Sequence, residues 1–310
     1  MKISIIIVSW NVKELVGKCI KSINRYMDVE DYEIVLVDNA SHDNTADFVR
    51  KVFPKVRVIT NKTNVGFAAA NNQAIRTTDA DVLILANPDT ELICSVSSLI
   101  ARVSEDRHTA VAFGRLIYPD GRTQEFIRNF PTVLNQVSEI FGLAHLFPNA
   151  MWACEMVRRK NNRIYVEPHF IDSGSGAFFV MKRDVFLRAG MFDEDYFVYG
   201  EETDLFFRLN KLGYKIFYDP TVKIVHHHGK STSQNPMMYA MLQKNRCLFI
   251  RKHYSRKHAA AYRYFCLLPY DCTRYLLSIL RCFVLKGRTR EESCDKARRH
   301  LGALLWELCG

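Results

Sequence analysis

The sequence lacks any run of about 18 uncharged apolar residues, the length that a membrane-spanning helix requires. It also lacks a cleavable signal pattern, because polar Asn11 and Lys13 follow the first short apolar run. The nine cysteines contain no CxxC pair, which argues against a zinc ribbon and against a disulfide framework. We therefore expect a cytoplasmic protein in which most cysteines are buried thiols.

Several motifs that mark common enzyme classes are also missing. No Walker P-loop is present, no GxGxxG follows the first apolar run, and no GxSxG occurs. Kinase, dehydrogenase and α/β-hydrolase functions therefore lose their main support. No recognised nucleic-acid-binding module and no internal repeat is visible, so nucleic acid is not expected as a partner.

What the chain does contain is the composition of a globular enzyme with one unusual region. Its 310 residues are 48% hydrophobic and 25% charged, enough for a large core. Residues 241–310 hold fifteen Lys and Arg against five Asp and Glu, whereas residues 1–240 hold twenty-eight of each. The whole net charge of +10 therefore belongs to the last seventy residues, which indicates a different surface role for them.

Apolar runs alternate with amphipathic segments along the first 90 residues. The pattern predicts strands at 2–8, 33–37, 56–59 and 81–85, separated by three helices. Continuous apolar strands that alternate with helices are typical of a parallel sheet covered on both faces. Further on, we expect a helix at 96–103, strands at 111–113, 173–181 and 215–218, and helices at 184–189 and 201–212. Residues 114–170 give no clear pattern and are the expected place for substrate specificity.

Polar residues follow the predicted strands directly. Ligands of open parallel sheets bind outside the carboxyl ends of the strands, and at that edge this chain carries Ser9, Asn11, Asp38, Asn39, Asn87 and Asp89. Carboxylates there can hold a divalent cation against phosphate oxygens. Asp38-Asn39-Ala40-Ser41 is equally interpretable as a capped turn.

Two later clusters could also carry chemistry. Glu201, Glu202 and Asp204 stand near a predicted helix start, where the helix dipole favours acidic residues and where Asp204 can pair with Arg208 on the helix surface. Glu202 is also placed to act as a general base in a cleft. His226, His227 and His228 end a predicted strand, and alternation puts His226 and His228 on one side. One or two of them could ligate a cation.

Together these motifs resemble glycosyltransferase family 2, in particular its rhamnosyltransferase-like branch. The ordered matches span residues 3–231, and each is short. They are Val8-Ser9-Trp10-Asn11, Val37 to Ser41, Asn64 to Phe67, Asn87-Pro88-Asp89, Phe192-Asp193-Glu194, Glu201 to Leu205 and His226 to Ser231.

The resemblance implies an α/β GT-A fold with a mostly parallel central sheet flanked by helices, followed here by a basic helical extension. It implies a nucleotide-sugar-binding half at 1–100, an acceptor-binding half at 101–240 and the extension at 241–310. It also implies an inverting transfer by direct displacement. The donor pocket would be formed by Ser9, Asn11, Asp38, Asn39, Asn64, Gly66, Asn72 and Asn87.

By the same resemblance, Asn87-Pro88-Asp89 occupies the place of the family's DxD motif. Asp89 and His226 would hold Mg²⁺ or Mn²⁺, and Glu202 would be the base, with Asp204 as its fallback. Two residues depart from the family pattern: Asn87 replaces the first carboxylate of DxD, and Glu202 replaces an Asp.

The resemblance suggests a dTDP- or UDP-sugar donor, dTDP-rhamnose first, and a glycan or polyprenyl-diphosphate-linked acceptor. The mixed basic and apolar extension favours peripheral binding to the cytoplasmic face of a membrane, although its helices could instead pack on the catalytic part. The two departures leave a catalytically silent nucleotide-binding or scaffold protein as an alternative. A sugar nucleotidyltransferase is disfavoured, since Ser9 to Val12 offers neither a glycine-rich loop nor a basic residue.

Overall fold

The computed structural model describes residues 1–143, 155, 163–227, 236–284 and 288–309. The chain divides into two units. An α/β unit is formed by residues 1–130 and 156–231, and a helical unit by residues 131–155 and 232–310. The sheet and every predicted site residue lie in the α/β unit. The proposed donor and acceptor halves, 1–100 and 101–240, both contribute strands to that sheet.

Four parallel strands form the first part of the sheet, in the order β3-β2-β1-β4. They lie within one or two residues of the predicted positions: β1 Ile3–Ser9, β2 Tyr32–Asp38, β3 Arg57–Thr60 and β4 Val82–Ala86. All seven residues of β1 are buried, which explains why isoleucine and valine dominate its sequence, with Ser4 as the polar residue inside it. The connecting helices are Lys13–Tyr26, Thr45–Val52 and Phe67–Arg76.

Five further strands complete the sheet within the described residues. They are β5 Thr90–Leu92, β6 Thr109–Ile117, β7 His169–Ile171, β8 Phe178–Lys182 and β9 Lys215–His226. The path continues β4-β8-β6-β9-β5, and β7 pairs with β9. Only β5, β7 and β8 run against the direction of the other strands, which confirms a mostly parallel central sheet. The helices of this part are Ser97–Glu105, Arg183–Arg188 and Glu201–Lys211.

Three details of this part differ from the sequence predictions. The predicted strand at 173–181 was wrong in its first half, since the strand begins only at Phe178 and the preceding glycine-containing segment is a loop. The strand predicted at 215–218 continues to His226 as one element, with a register shift in its partner between Gly114 and Arg115. The short strands β5 and β7 were not predicted.

The helical unit contains the helices Val133–Ile140, Pro236–His253, Arg256–Ala261, Leu268–Val284 and Arg288–Cys309, with a π-helical turn at Tyr262–Leu267. Its small core is built around Ile250, Tyr262 and Leu267. Arg246 pairs with Glu155 at 3.1 Å and with Glu139 at 3.8 Å. None of the helices that the structure describes is long and apolar enough to cross a membrane. The predicted basic helical extension is therefore present as helices.

Candidate functional site

The carboxyl ends of β1 and β2 place Ser9 and Asp38 side by side. The two residues are paired in the parallel register, and the Asn39 N–H donates to the Ser9 carbonyl at 2.8 Å. Both side chains are buried. Within the described residues, Ser9 Oγ and Asp38 Oδ1 have no hydrogen-bond partner. Buried polar atoms are nearly always paired, so these two fit a ligand that supplies the missing donor and acceptor groups.

The side chain of Asn39 is engaged by the loop that follows β3. Its Nδ2 donates to Asn64 Oδ1 at 2.8 Å, and its Oδ1 accepts from Asn61 Nδ2 and from the Val65 N–H, both at 3.1 Å. An amide with these bonds has little capacity left for a ligand. The structure therefore gives Asn39 the task of holding the loop 61–66 over the edge of the sheet.

Asn11 joins two loops at the same edge. It adopts a positive φ of 54°, its N–H donates to Ser41 Oγ at 2.9 Å, and its Oδ1 accepts from the His42 N–H at 2.7 Å. The loop after β1 and the loop after β2 are thus tied together. Asn11 itself is exposed beside the buried Ser9.

Gly66 lies where the loop 61–66 meets the segment before the helix Glu201–Lys211, here called the acidic helix. It has φ +89°, and a Cβ at this position would stand 2.5 Å from the Phe197 carbonyl oxygen. The next residue, Phe67, donates its N–H to that carbonyl at 2.6 Å. Only glycine combines this conformation with this close approach.

Asn72 connects the helix Phe67–Arg76 to the Phe192-Asp193-Glu194 motif. Its Nδ2 donates to the Phe192 carbonyl and to Glu194 Oε1, both at 2.9 Å, and its Oδ1 accepts from the Phe192 N–H at 3.1 Å. The side chain is buried and fully engaged. Two motifs separated by 120 residues are therefore held together by one amide.

Asp89 and His226 approach each other across the pairing of β5 with β9. Asp89 Oδ1 lies 3.5 Å from His226 Nε2, and the Asp89 carbonyl accepts from the His227 N–H at 2.9 Å. His227 instead faces Glu91, with its Nε2 2.6 Å from Glu91 Oε1. The third histidine of the run, His228, and the motif residues up to Ser231 lie outside the described residues.

Gln124, which sequence analysis did not identify, fixes the His226 ring. Its Nε2 donates to the His226 carbonyl at 2.6 Å and to the Ile117 carbonyl at 3.3 Å, so its Oε1 must be the atom 2.9 Å from His226 Nδ1. An amide oxygen only accepts, hence Nδ1 carries a proton. In the neutral ring the lone pair then lies on Nε2, the atom that faces Asp89.

Asn87 stands at the end of β4 beside a glycine that touches the acidic helix. Its N–H donates to the Ala177 carbonyl at 2.8 Å, and its buried Oδ1 has no partner within the described residues. A Cβ on the neighbouring Gly176 would lie 3.5 Å from Cβ, and also from Cγ, of Glu202. Glu202 is thereby placed next to the loop that contacts the Asn87-Pro88-Asp89 turn.

The acidic helix begins after Gly200, which has φ +91°. Glu202 Oε2 accepts from the Gly200 N–H at 3.1 Å. Burial, and then the neighbouring Glu202 charge, raise the pKa of Glu201 well above its usual value. Asp204 Oδ2 accepts from Arg208 Nε at 2.8 Å, and Arg208 also donates to the carbonyls of Ala189 and Met191. Asp204 is thus part of an ion pair that supports the turn before the helix.

A site for a divalent cation fits the donor atoms around Asp89. A carboxylate oxygen and an imidazole nitrogen are both metal-binding groups, and Mg²⁺ commonly binds through one or two carboxylates plus phosphate oxygens. Among the described residues, no group of three or more His, Cys, Asp or Glu could hold a metal alone. The remaining ligands would have to come from substrate or water.

Comparisons with known proteins agree with this geometry. The profile described as "Glycosyl transferase family 2" matches residues 4–186. An N-acetylglucosaminyl-diphospho-decaprenol L-rhamnosyltransferase of Mycobacterium tuberculosis is 28% identical over 237 residues, covering 72% of this chain and 75% of its own. Rhamnosyltransferase WbbL of Escherichia coli is 24% identical over 246 residues, covering 72% of this chain and 83% of its own.

A solved structure shows the same fold. GalNAc-T7, crystallised with UDP, GalNAc and Mn²⁺, superposes with a TM-score of 0.61 at 15% identity. The alignment covers 99% of this chain, which spans 56% of the GalNAc-T7 chain. The fold is therefore that of the GT-A glycosyltransferases, as the sequence motifs implied. With more than half of its residues matched by the family profile, the chain belongs to glycosyl transferase family 2.

Proposed function

We propose that the chain is an inverting, metal-dependent glycosyltransferase of cell-surface polysaccharide assembly. It moves a sugar, with rhamnose from dTDP-rhamnose as the first candidate, from a nucleotide donor to a glycan or a polyprenyl-diphosphate-linked glycan. The observation that carries the proposal is the position of Glu202 beside the loop that contacts Asn87, together with the 3.5 Å distance between Asp89 Oδ1, just before β5, and His226 Nε2, at the end of β9. The choice of sugar and acceptor is supported by the printed names of the two rhamnosyltransferase relatives.

Donor binding is assigned to the edge of β1 and β2. The unpartnered Asp38 Oδ1 and Ser9 Oγ are the groups that the nucleoside would satisfy. Asn11, Asn39, Asn64, Gly66 and Asn72 act mainly by fixing the loops around that pocket, because their polar groups or backbone are already engaged. Asn87 Oδ1 is a further buried hydrogen-bond acceptor that the nucleotide-sugar donor would satisfy.

Asp89 and His226 are the residues that would hold Mg²⁺ or Mn²⁺. A cation held by these residues would supply positive charge that neutralises the departing nucleoside diphosphate. Gln124 contributes by keeping the His226 Nε2 lone pair on the side of Asp89. Asn87 supplies an amide where the family pattern has a carboxylate, so the protein ligands carry less negative charge.

Glu202 is the proposed base. Its carboxylate would accept the proton of an acceptor hydroxyl while the hydroxyl oxygen bonds to the anomeric carbon and the bond to the diphosphate oxygen breaks, which inverts the anomeric configuration. Asp204, the fallback, is disfavoured because its carboxylate is buried in the pair with Arg208.

The basic extension is proposed to place the enzyme at the cytoplasmic face of a membrane. Fifteen Lys and Arg against five Asp and Glu in residues 241–310 would favour an anionic lipid surface. Such a location suits an acceptor attached to a polyprenyl chain.

The deciding experiment compares the wild type with Glu202→Gln and Asp89→Ala. Donor binding is followed by thermal stabilisation across UDP-, GDP- and dTDP-sugars with Mn²⁺, Mg²⁺ or EDTA, and transfer to glycan-lipid acceptors is measured in parallel. We expect one nucleotide class to stabilise the wild type in a metal-dependent way. Glu202→Gln should keep this stabilisation and lose turnover, and Asp89→Ala should lose the metal dependence. If the wild type binds a nucleotide but transfers no sugar, the silent scaffold function takes its place.

A further inference from the structure

The helix Leu268–Val284 has polar residues on its buried side and apolar residues on its exposed side, the reverse of an ordinary surface helix. Its buried residues are polar, Asp271 with no exposed surface and Ser278. Large apolar residues of the same helix are exposed, with Leu280 60% and Phe283 83% accessible. A surface helix of a globular protein normally does the opposite and turns its apolar stripe inward.

The exposed apolar residues lie on one side of this helix. Leu276, Leu280, Phe283 and Val284 follow the spacing i, i+4, i+7, i+8, which places them on a single face, here called the outer face. Asp271 and Ser278 are seven residues apart and lie on the opposite side. Phe265, in the preceding π-helical turn, is exposed as well.

Two side chains of the neighbouring helices bind Asp271 on the inward side of this helix. Asp271 Oδ1 accepts from the Tyr239 hydroxyl at 3.1 Å and lies 2.5 Å from His300 Nδ1. Tyr239 and His300 belong to the two neighbouring long helices, Pro236–His253 and Arg288–Cys309. Rotating the helix to bury its leucines would expose the carboxylate and leave these partners facing apolar groups. The contacts of Asp271 therefore fix the rotation of the helix about its axis, and its outer face stays exposed.

Charge identifies the occupant. Arg274 and Arg281, on the same helix, are exposed, and residues 241–310 carry fifteen basic against five acidic residues. A second copy of the chain would bring two such basic surfaces together, which electrostatic repulsion opposes. An anionic bilayer offers hydrocarbon for the apolar side chains and negative head groups for the arginines.

We propose that the outer face, with Phe265, lies in the interface of an anionic lipid bilayer, with the helix parallel to the membrane plane. This inference deepens the membrane location proposed above and rests on it. It assigns that location to a few side chains of one helix rather than to the charge of the whole extension.

The test uses the full chain and vesicles of phosphatidylcholine with or without phosphatidylglycerol. The double variant Leu280→Asp/Phe283→Asp should weaken flotation with phosphatidylglycerol vesicles by at least about tenfold. Leu134→Asp, at a residue of the same unit with 56% exposure, is the matched control and should bind as the wild type does. Arg274→Gln/Arg281→Gln should reduce the preference for phosphatidylglycerol.

A gain-of-signal variant separates insertion from loss of folding. Phe283→Trp should show a blue-shifted emission with phosphatidylglycerol vesicles, whereas Leu134→Trp should not. Equal vesicle binding by the wild type and the aspartate double variant would overturn the proposal, as would a wild-type dimer in sedimentation velocity that the double variant converts to a monomer. Donor hydrolysis without vesicles is measured alongside, because activity that persists while vesicle binding is absent refutes the membrane face and leaves the transferase function intact.

Discussion

Replacing Gln124 by Met tests whether this buried amide prepares His226 to bind a cation. Methionine keeps the approximate length and volume of the side chain but removes the amide group that contacts the His226 ring. The bond from His226 Nδ1, at 2.9 Å, and the two bonds to the carbonyls of His226 and Ile117 are lost together. The Nε2 lone pair is then no longer fixed toward Asp89.

The size of the effect follows from these bonds. Loss of a hydrogen bond to a metal-binding histidine typically costs 10- to 100-fold in metal affinity, equivalent to about 1.4–2.7 kcal/mol. The carbonyls of His226 and Ile117 lose their hydrogen bonds both in the cation-free and in the cation-bound protein, so this loss should not change the metal affinity. It should instead lower the free energy of unfolding by roughly 1–3 kcal/mol. The variant should therefore bind Mn²⁺ 10- to 100-fold more weakly at a modestly reduced Tm.

Mn²⁺ binding is measured by electron paramagnetic resonance with the nucleoside diphosphate present, and folding by circular dichroism. Gln136→Met is the matched control, because Gln136 is an equally buried glutamine of the helical unit, bonded to Glu155 Oε2 at 2.9 Å. It should leave Mn²⁺ affinity unchanged. An unchanged Mn²⁺ affinity in folded Gln124→Met protein would refute the reasoning.

Three further substitutions address the acidic helix and the donor loop. Glu202→Gln should lower turnover by about 10²–10⁴-fold at unchanged donor affinity, measured by steady-state transfer and calorimetry; a smaller loss would move the base elsewhere. The pKa of Glu201 is raised in the folded state, so the unfolded chain loses this proton at a lower pH than the folded chain does. The free energy of unfolding therefore falls as the pH rises from the pKa of the unfolded chain toward the pKa of the folded chain. The Tm of Glu201→Gln should therefore exceed that of the wild type increasingly with pH, and parallel Tm curves would contradict this. Gly66→Ala should weaken donor binding about tenfold through its clash with Phe197. Gly121→Ala, with φ +86° and nothing within 4 Å, should share the backbone strain but bind donor normally.

Sequence analysis predicted the first half of the sheet closely because β1, β4 and most of β2 are buried on both faces. The strand Ile3–Ser9 is buried along its whole length and is mostly isoleucine and valine, with Ser4 as a buried polar exception, so its apolar run is conspicuous in the sequence. The strands Thr90–Leu92 and His169–Ile171 have three residues each, too few for any periodicity. They form because Lys215–His226 offers them a hydrogen-bonding edge, which is a tertiary property.

Sequence analysis named the residues of the candidate site but did not predict the contacts that each of them makes. Asn39 and Asn72 were expected at the donor pocket, yet their amides hold loops and motifs together. Asn72 binds backbone groups 120 positions away, a distance over which local spacing carries no information. Gln124 stands in the stretch without a clear pattern, and no local signal distinguishes it from a surface glutamine.

The assignment of the base shows most clearly what geometry adds. Sequence left Glu202 and Asp204 as candidates, with Glu201 beside them. Asp204 forms an ion pair with Arg208, which also donates to the carbonyls of Ala189 and Met191. Protonation of Asp204 would weaken this ion pair, so Asp204 is a poorer candidate for the base. Burial, and then the charge of Glu202 beside it, raise the pKa of Glu201 well above its usual value, because two buried neighbouring carboxyls do not readily ionise together. Glu202 lies beside Gly176, and its Oε2 accepts from the Gly200 N–H at 3.1 Å, a position that supports its proposed role as the base.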